Sequence, residues 1–145
     1  MAISQWMDEL MLGIEPFDTE HSVLFRLIDD LNEAMRARLG DVVLDSMLWE
    51  LENYTQTHFF DEEEFFKKIG YPKKDEHIAE HLKFTNDIAG FRQESFQSQV
   101  GLSVKIVTYL REWLKTHIKM KDMDYGQFAK EHGFASWRKT VKAAL

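Results

Sequence analysis

The stretch from His58 to His81, HFFDEEEFFKKIGYPKKDEHIAEH, constrains this chain more than any other. It holds a His and a Glu four apart (His58, Glu62), a Gly-Tyr-Pro break, and then two His four apart (His77, His81). A four-residue step keeps two side chains on one helical face, so two polar pairs share faces with apolar residues across a tight turn.

The second helix, expected over about 41–69, carries an unbroken stripe of Leu44, Leu48, Leu51, Thr55, His58, Glu62, Phe65 and Ile69, and Gly70 closes it. A third helix, about 72–96, continues as His77, His81, Phe84, Ile88 and Phe91. Asp18 is the expected N-cap of a first helix reaching about Leu39, with His21, Leu24, Ile28, Leu31 and Met35 inward. Gly101 opens a fourth, with Ile106, Leu110, Trp113 and His117. Four long amphipathic helices with short connections predict an all-α, up-down-up-down antiparallel four-helix bundle in a single domain. Residues 1–17 are expected to form an N-terminal arm that packs through Trp6, Met7, Leu10 and Ile14. Residues 18–122 form the core, and 123–145 a short helical extension on the outside.

Interiors tolerate polar side chains when they are paired or bound to metal. In antiparallel helices, residues equidistant from a turn lie at similar heights. With the first turn at about 40.5, residue 21 mirrors residue 60, midway between His58 and Glu62. With the next turns at about 70.5 and 99, residue 60 mirrors His81, and His81 mirrors His117. His21, His58, Glu62, His77, His81 and His117 therefore converge on one layer. Asp122 follows His117 by five residues, a rotation that turns it about 140° away in a regular helix. It joins the layer only if the helix unwinds or ends, and Asp124, Glu63 or Glu64 are geometric substitutes. Asp61, Glu63 and Glu64 otherwise read as a solvated face, and His132 as a surface residue.

Five imidazoles and two carboxylates are too many for one catalytic zinc, which takes three protein ligands. They suit two first-row metal ions, iron included. Two bridging carboxylates and a bridging oxide or hydroxide would leave one position open in two octahedra, which suits reversible binding of a diatomic molecule. The ferritin-like di-iron pattern of Glu-x-x-His is absent. His77-Ile-Ala-Glu-His81 also matches the HxxEH of inverted zinc peptidases, with Glu80 as base. A peptidase would leave His21, His58, His117 and Asp122 unexplained.

Composition narrows the classes further. The chain has 145 residues, no cysteine and a net charge of -7, which excludes thiolate metal sites and argues against nucleic acid as a partner. No apolar run approaches ~20 residues, so no membrane insertion is expected and a soluble, cytoplasmic protein is the default.

Over roughly residues 6–128 the chain resembles the hemerythrin family, in its stand-alone bacterial form (bacteriohemerythrin). The residues that carry the likeness are FDTEH ending at His21, HFFDEE with His58 and Glu62, the GYP break, HIAEH with His77 and His81, and WLKTHIKMKD with Trp113, His117 and Asp122. The resemblance implies a non-haem di-iron centre with an oxo or hydroxo bridge that reversibly binds dioxygen without being an enzyme. His77, His81 and His117 would hold one iron, His21 and His58 the other, with Glu62 and Asp122 bridging. It implies transport, storage or delivery of oxygen, to an oxygen-consuming partner protein, and the oligomeric state stays open. Sensing, nitric oxide detoxification, or an oxidase or peroxidase activity are the alternatives. Phe59, Phe65, Trp113, Leu114 and Ile118 are expected in the core, some of them lining the oxygen pocket. Phe65 and Phe66 stand where family members often carry Leu and Met, which bears on pocket size.

Overall fold

In a computed structural model, which describes residues 7–95 and 101–134, the chain is all-α. A short helix α1 (Met7–Leu10) precedes the four long elements α2 (Glu15–Arg36), α3 (Gly40–Ile69), α4 (Lys74–Ser95) and α5 (Leu102–His117). A π-helical segment (Ile118–Asp122) follows α5 directly and runs on into α6 (Met123–Glu131). The long helices form the expected antiparallel bundle, with α2 against α3 and α5, and α4 against α3 and α5. Among the described residues, no helix is long and apolar enough to cross a membrane.

The stripe on α3 is buried along its whole length, from Leu44 through Thr55, His58 and Glu62 to Ile69. Each fully buried Leu, Ile or Phe contributes roughly 1.5–3 kcal/mol, so this register is strongly specified. Gly70 ends α3 in the left-handed conformation (φ 68°), a geometry that costs a side chain and that glycine adopts freely. Its N–H donates to Phe66 O, Tyr71 N–H donates to the same oxygen at 3.0 Å, and the chain reverses into α4.

Two expectations are corrected at the ends of the bundle. Helix α2 starts at Glu15 with Ile14 as N-cap and Pro16 in its first turn, so Asp18 is not the cap. Proline suits that position because its missing N–H would have no helical acceptor there. The Asp18 carboxylate turns back instead and accepts from Leu12 N–H (2.7 Å) and Gly13 N–H (3.0 Å). This fixes the arm, whose Leu10, Leu12 and Ile14 are buried. Trp6 lies outside the described residues, as do 135–145 of the expected extension.

The second correction is larger. The segment after Asp122 does not pack on the outside: Tyr125 is fully buried and lies against Phe17, Phe65, Phe66 and Tyr71. Gly126 sits inside α6. The arm passes close to it, and a Cβ there would meet the Leu12 Cβ at 3.4 Å, an ordinary van der Waals contact. His132 is exposed, as expected, and its ring hydrogen-bonds to Phe128 O (2.8 Å) at the end of α6.

Candidate metal centre

Six of the seven site residues sit on long helices: His21 on α2, His58 and Glu62 on α3, His77 and His81 on α4, His117 on α5. The seventh, Asp122, closes the π-helical segment. Met123 N–H donates to Ile118 O, a bond spanning five residues. An i→i+5 turn carries one residue more than an α-helical turn, so residue 122 comes round over residue 117. The regular-helix objection to Asp122 is removed by this local change of pitch. Asp122 is fully buried, and its Oδ1 lies 3.1 Å from His117 Nε2.

All seven meet at one level. The rings of His77, His81 and His117 form one group, with centroids 4.6, 4.7 and 5.2 Å apart, and His21 and His58 form another at 4.8 Å. The carboxylates lie between the groups. Asp122 presents Oδ1 to His77 Nε2 (3.0 Å) and Oδ2 to His21 Nε2 (3.1 Å). Glu62 presents Oε1 to His81 Nε2 (3.1 Å) and His58 Nε2 (3.4 Å).

Two sets of donor atoms, each within 4.8 Å of one another, follow: Glu62, His77, His81, His117, and His21, His58, Glu62, Asp122. Glu62 belongs to both. Many of these atoms have no hydrogen-bond partner although fully buried, among them Nε2 of His21, His77, His81 and His117 and both oxygens of Asp122. Unsatisfied buried polar atoms are costly, and so dense a cluster marks a place built for another occupant. The donor set of neutral nitrogen and carboxylate oxygen fits first-row metal ions such as iron.

Charge distribution points the same way. Burial pushes the His58 pKa down to about 4, against the pull of Glu62. Burial and Asp122 push Glu62 up, yet His58 and His81 outweigh them and hold it near 2. Burial pushes His117 down, but Asp122 and Glu80 outweigh it and hold the imidazolium up to about 10. Asp122 falls well below the usual carboxylate range because His117, His21 and His77 outweigh its desolvation. In the metal-free layer Glu62 and Asp122 are thus ionised beside a protonated His117, and a metal would replace that proton.

Beyond the seven, several residues contribute that the sequence pattern placed elsewhere. Glu20 Oε1 lies 2.7 Å from His58 Nδ1, and Glu63 Oε2 lies 2.9 Å from His81 Nδ1. Glu63 is therefore not simply part of a solvated face, and Asp61 is buried too; Glu64 is exposed and pairs with Lys67. Glu80 Oε1 stands 3.7 Å from His117 Nδ1, too long for a hydrogen bond but near enough to act as a charge. Asp124, a candidate substitute for Asp122, accepts from Tyr71 OH and faces Lys73 instead. Tyr125 OH donates to Glu62 Oε2 at 2.5 Å, and burial beside Glu62 and Asp122 raises its pKa far enough to keep it a neutral donor. A general rule could have found Glu20 and Glu63: metal-binding imidazoles nearly always donate their second N–H to an outer acceptor.

A small apolar cavity adjoins the layer, with room for about one water-sized molecule. Leu24, Ile28, Thr55, Phe59, Trp113 and Leu114 are among its walls, and His58, His117 and Asp122 border it. Phe59 stacks on His81 (3.8 Å, 7°) and Trp113 on His117 (4.4 Å, 12°). Phe65 and Ile118, fully buried as expected, do not line it, and neither does Phe66. The size of this cavity therefore does not depend on Phe65 or Phe66.

Comparison with known proteins agrees with this architecture. The family model of the hemerythrin HHE cation binding domain matches residues 12–129. A bacteriohemerythrin of Stenotrophomonas maltophilia is 32% identical, over 94% of this chain and 94% of that protein. One from Clostridium acetobutylicum is 31% identical, over 83% of this chain and 96% of its own. A myohemerythrin of Theromyzon tessulatum is 28% identical, over 83% and 89%. A four-helix bundle with this histidine and carboxylate layer, matched by the family model over nearly its whole length, belongs to the hemerythrin family.

Proposed function

We propose that this chain binds two iron ions in the buried layer and uses them to bind dioxygen reversibly, for transport, storage or delivery. The observation that carries the proposal is the pair of donor sets sharing Glu62 beside an apolar cavity large enough for one small molecule. In this reading His77, His81 and His117 would hold one ion and His21 and His58 the other, with Glu62 and Asp122, which face imidazoles of both groups, contributing to both. When bound, two irons supply a redox-active pair with a coordination position for a diatomic ligand.

The chain's own residues do the rest. The four helices hold the imidazoles with Nε2 inward, so little rearrangement accompanies metal uptake. Leu24, Phe59, Trp113 and Leu114 keep bulk water from the cavity, which protects a reversible ligand from proton-driven side reactions. Tyr125 holds Glu62 by its Oε2 and stays protonated while doing so. Bacteriohemerythrin and myohemerythrin, the names borne by the relatives, support a carrier over an enzyme.

Metal analysis with absorption spectroscopy tests the proposal. Two irons per chain are expected, with charge-transfer bands that appear under oxygen and disappear under vacuum as unchanged oxygen is released. One zinc per chain and no visible band would overturn it. Consumption of the oxygen, with none released, would make the protein an oxidase.

A further inference from the structure

Because the layer's imidazoles turn Nε2 inward, Nδ1 is left to an outer partner, and those partners differ. His58 and His81 each have a carboxylate on Nδ1 at hydrogen-bond distance, Glu20 at 2.7 Å and Glu63 at 2.9 Å. His21 Nδ1 has no hydrogen-bond partner, and Glu80 is too far from His117 and also faces Lys121 at 3.5 Å. These two imidazoles fall in different donor sets, so each set holds an imidazole with a carboxylate on its Nδ1. Both bonds cross between helices, α2 to α3 and α3 to α4. The glutamate side chains are 13% and 28% exposed, partly withdrawn from water, where charge acts more strongly than on the open surface.

We infer that Glu20 and Glu63 are positioning residues of the centre, one for each metal ion, that fix the inward-facing tautomer of His58 and His81 and set the electron-donating strength of those ligands. The inference rests on the di-metal reading of the site. An N–H held by a carboxylate takes on part of the character of an imidazolate, a stronger donor that favours the more highly charged state of a bound metal. The same bond fixes the proton on Nδ1 and leaves the Nε2 lone pair free toward the layer. A mere staple between helices would need the hydrogen bond but not the charge.

Glutamine separates the two roles, because its amide oxygen accepts the same N–H bond at nearly the same shape without the charge. Glu20→Gln and Glu63→Gln are each expected to bind zinc, a redox-silent probe, about tenfold more weakly in chelator competition, at the lower end of losses typical of such partners. In the iron-loaded protein the reduction potential should rise. A tenfold change in relative affinity for the two oxidation states corresponds to about 59 mV for one electron. Glu64→Gln, at an exposed position paired with Lys67, should leave both quantities as in the wild type. If the wild type takes up two metal ions and both Gln variants match it in zinc affinity and potential, the positioning role is wrong while the di-metal site stands. If the wild type takes up fewer than two, both fall together. Helical content measured on each variant guards against confusing a folding defect with a ligand effect.

Discussion

The buried layer divides the core into two flanks, and the flanks differ. Toward the α2–α3 turn, the residues one and two turns from the ligands (Leu24, Ile28, Leu51, Thr55, Phe84, Leu110, Leu114) surround a cavity. Toward the α3–α4 turn, Phe17, Phe65, Phe66, Tyr71 and Tyr125 fill the space with rings 4.9–6.3 Å apart. Both flanks satisfy the same hydrophobic pattern. The aliphatic flank leaves an apolar void beside His58, whereas the aromatic flank packs rings against the layer and supplies a hydrogen bond to Glu62; the pocket on that side, at Tyr71, Lys73, His77 and Asp124, is polar. Packing to full density is the default in protein interiors, so an apolar void beside His58 and His117 marks a place where a small ligand fits.

The contrast can be broken most severely at Tyr125. Tyr125→Ala should cost about 3–5 kcal/mol, because it opens a large hole on the packed side and strips Glu62 of its donor. Urea unfolding of the metal-free protein measures this, and a loss below ~1 kcal/mol would mean that the flank is not close-packed.

The layer between the flanks sets the pH response of the metal-free protein. His58 is neutral when folded down to about pH 4 but titrates near 6.5 when unfolded. The unfolded chain therefore binds the extra proton, and stability falls by about 3 kcal/mol as pH drops through that window. His117 acts oppositely. Its folded pKa of about 10 lies above the unfolded 6.5, so its contribution is full below 6.5 and is lost as pH rises toward 10. A stability maximum near pH 6.5 is expected in denaturant titrations, and a monotonic profile would contradict this balance.

Metal contributes separately. His77→Ala should remove the stabilisation added by iron, about 2.7 kcal/mol when free metal stands at a hundred times its dissociation constant. Thermal melts with and without iron should then coincide for the variant but not for the wild type. Tyr125→Phe keeps the ring and removes only the hydroxyl, leaving a buried Glu62 oxygen without its donor at a cost of about 1–3 kcal/mol.

The smallest effect on stability is expected on the open flank. Thr55 is buried against the cavity with its hydroxyl bonded to Glu52 O (2.9 Å), so Thr55→Leu adds volume where there is room. A stability change within about 1.5 kcal/mol, with slowed oxygen binding, is expected, whereas Phe65→Trp among the packed rings of the aromatic flank should cost about 1–3 kcal/mol. Equal costs at the two positions would erase the distinction between the flanks.

Much of this was legible from spacing alone. Four amphipathic stripes, two glycine-terminated turns and mirrored positions were enough to bring His21, His58, Glu62, His77, His81 and His117 to one height, because helical periodicity and antiparallel geometry are properties of the local chain. The sequence by itself thus determined the bundle and the level of its polar layer. Asp122 was different: an α-helix points it away, and only the i→i+5 turn after His117 brings it in. That change of pitch depends on what surrounds Ile118–Asp122, where a buried carboxylate meets three imidazoles. The outward role assigned to residues after 123 failed for a related reason, since the same turn carries Tyr125 into the core. Glu20 and Glu63, charged residues beside the inner face, became partners of His58 and His81 only once neighbouring helices packed. Periodicity reports which face of a helix is buried; which polar atoms then meet is decided by how the helices fit together.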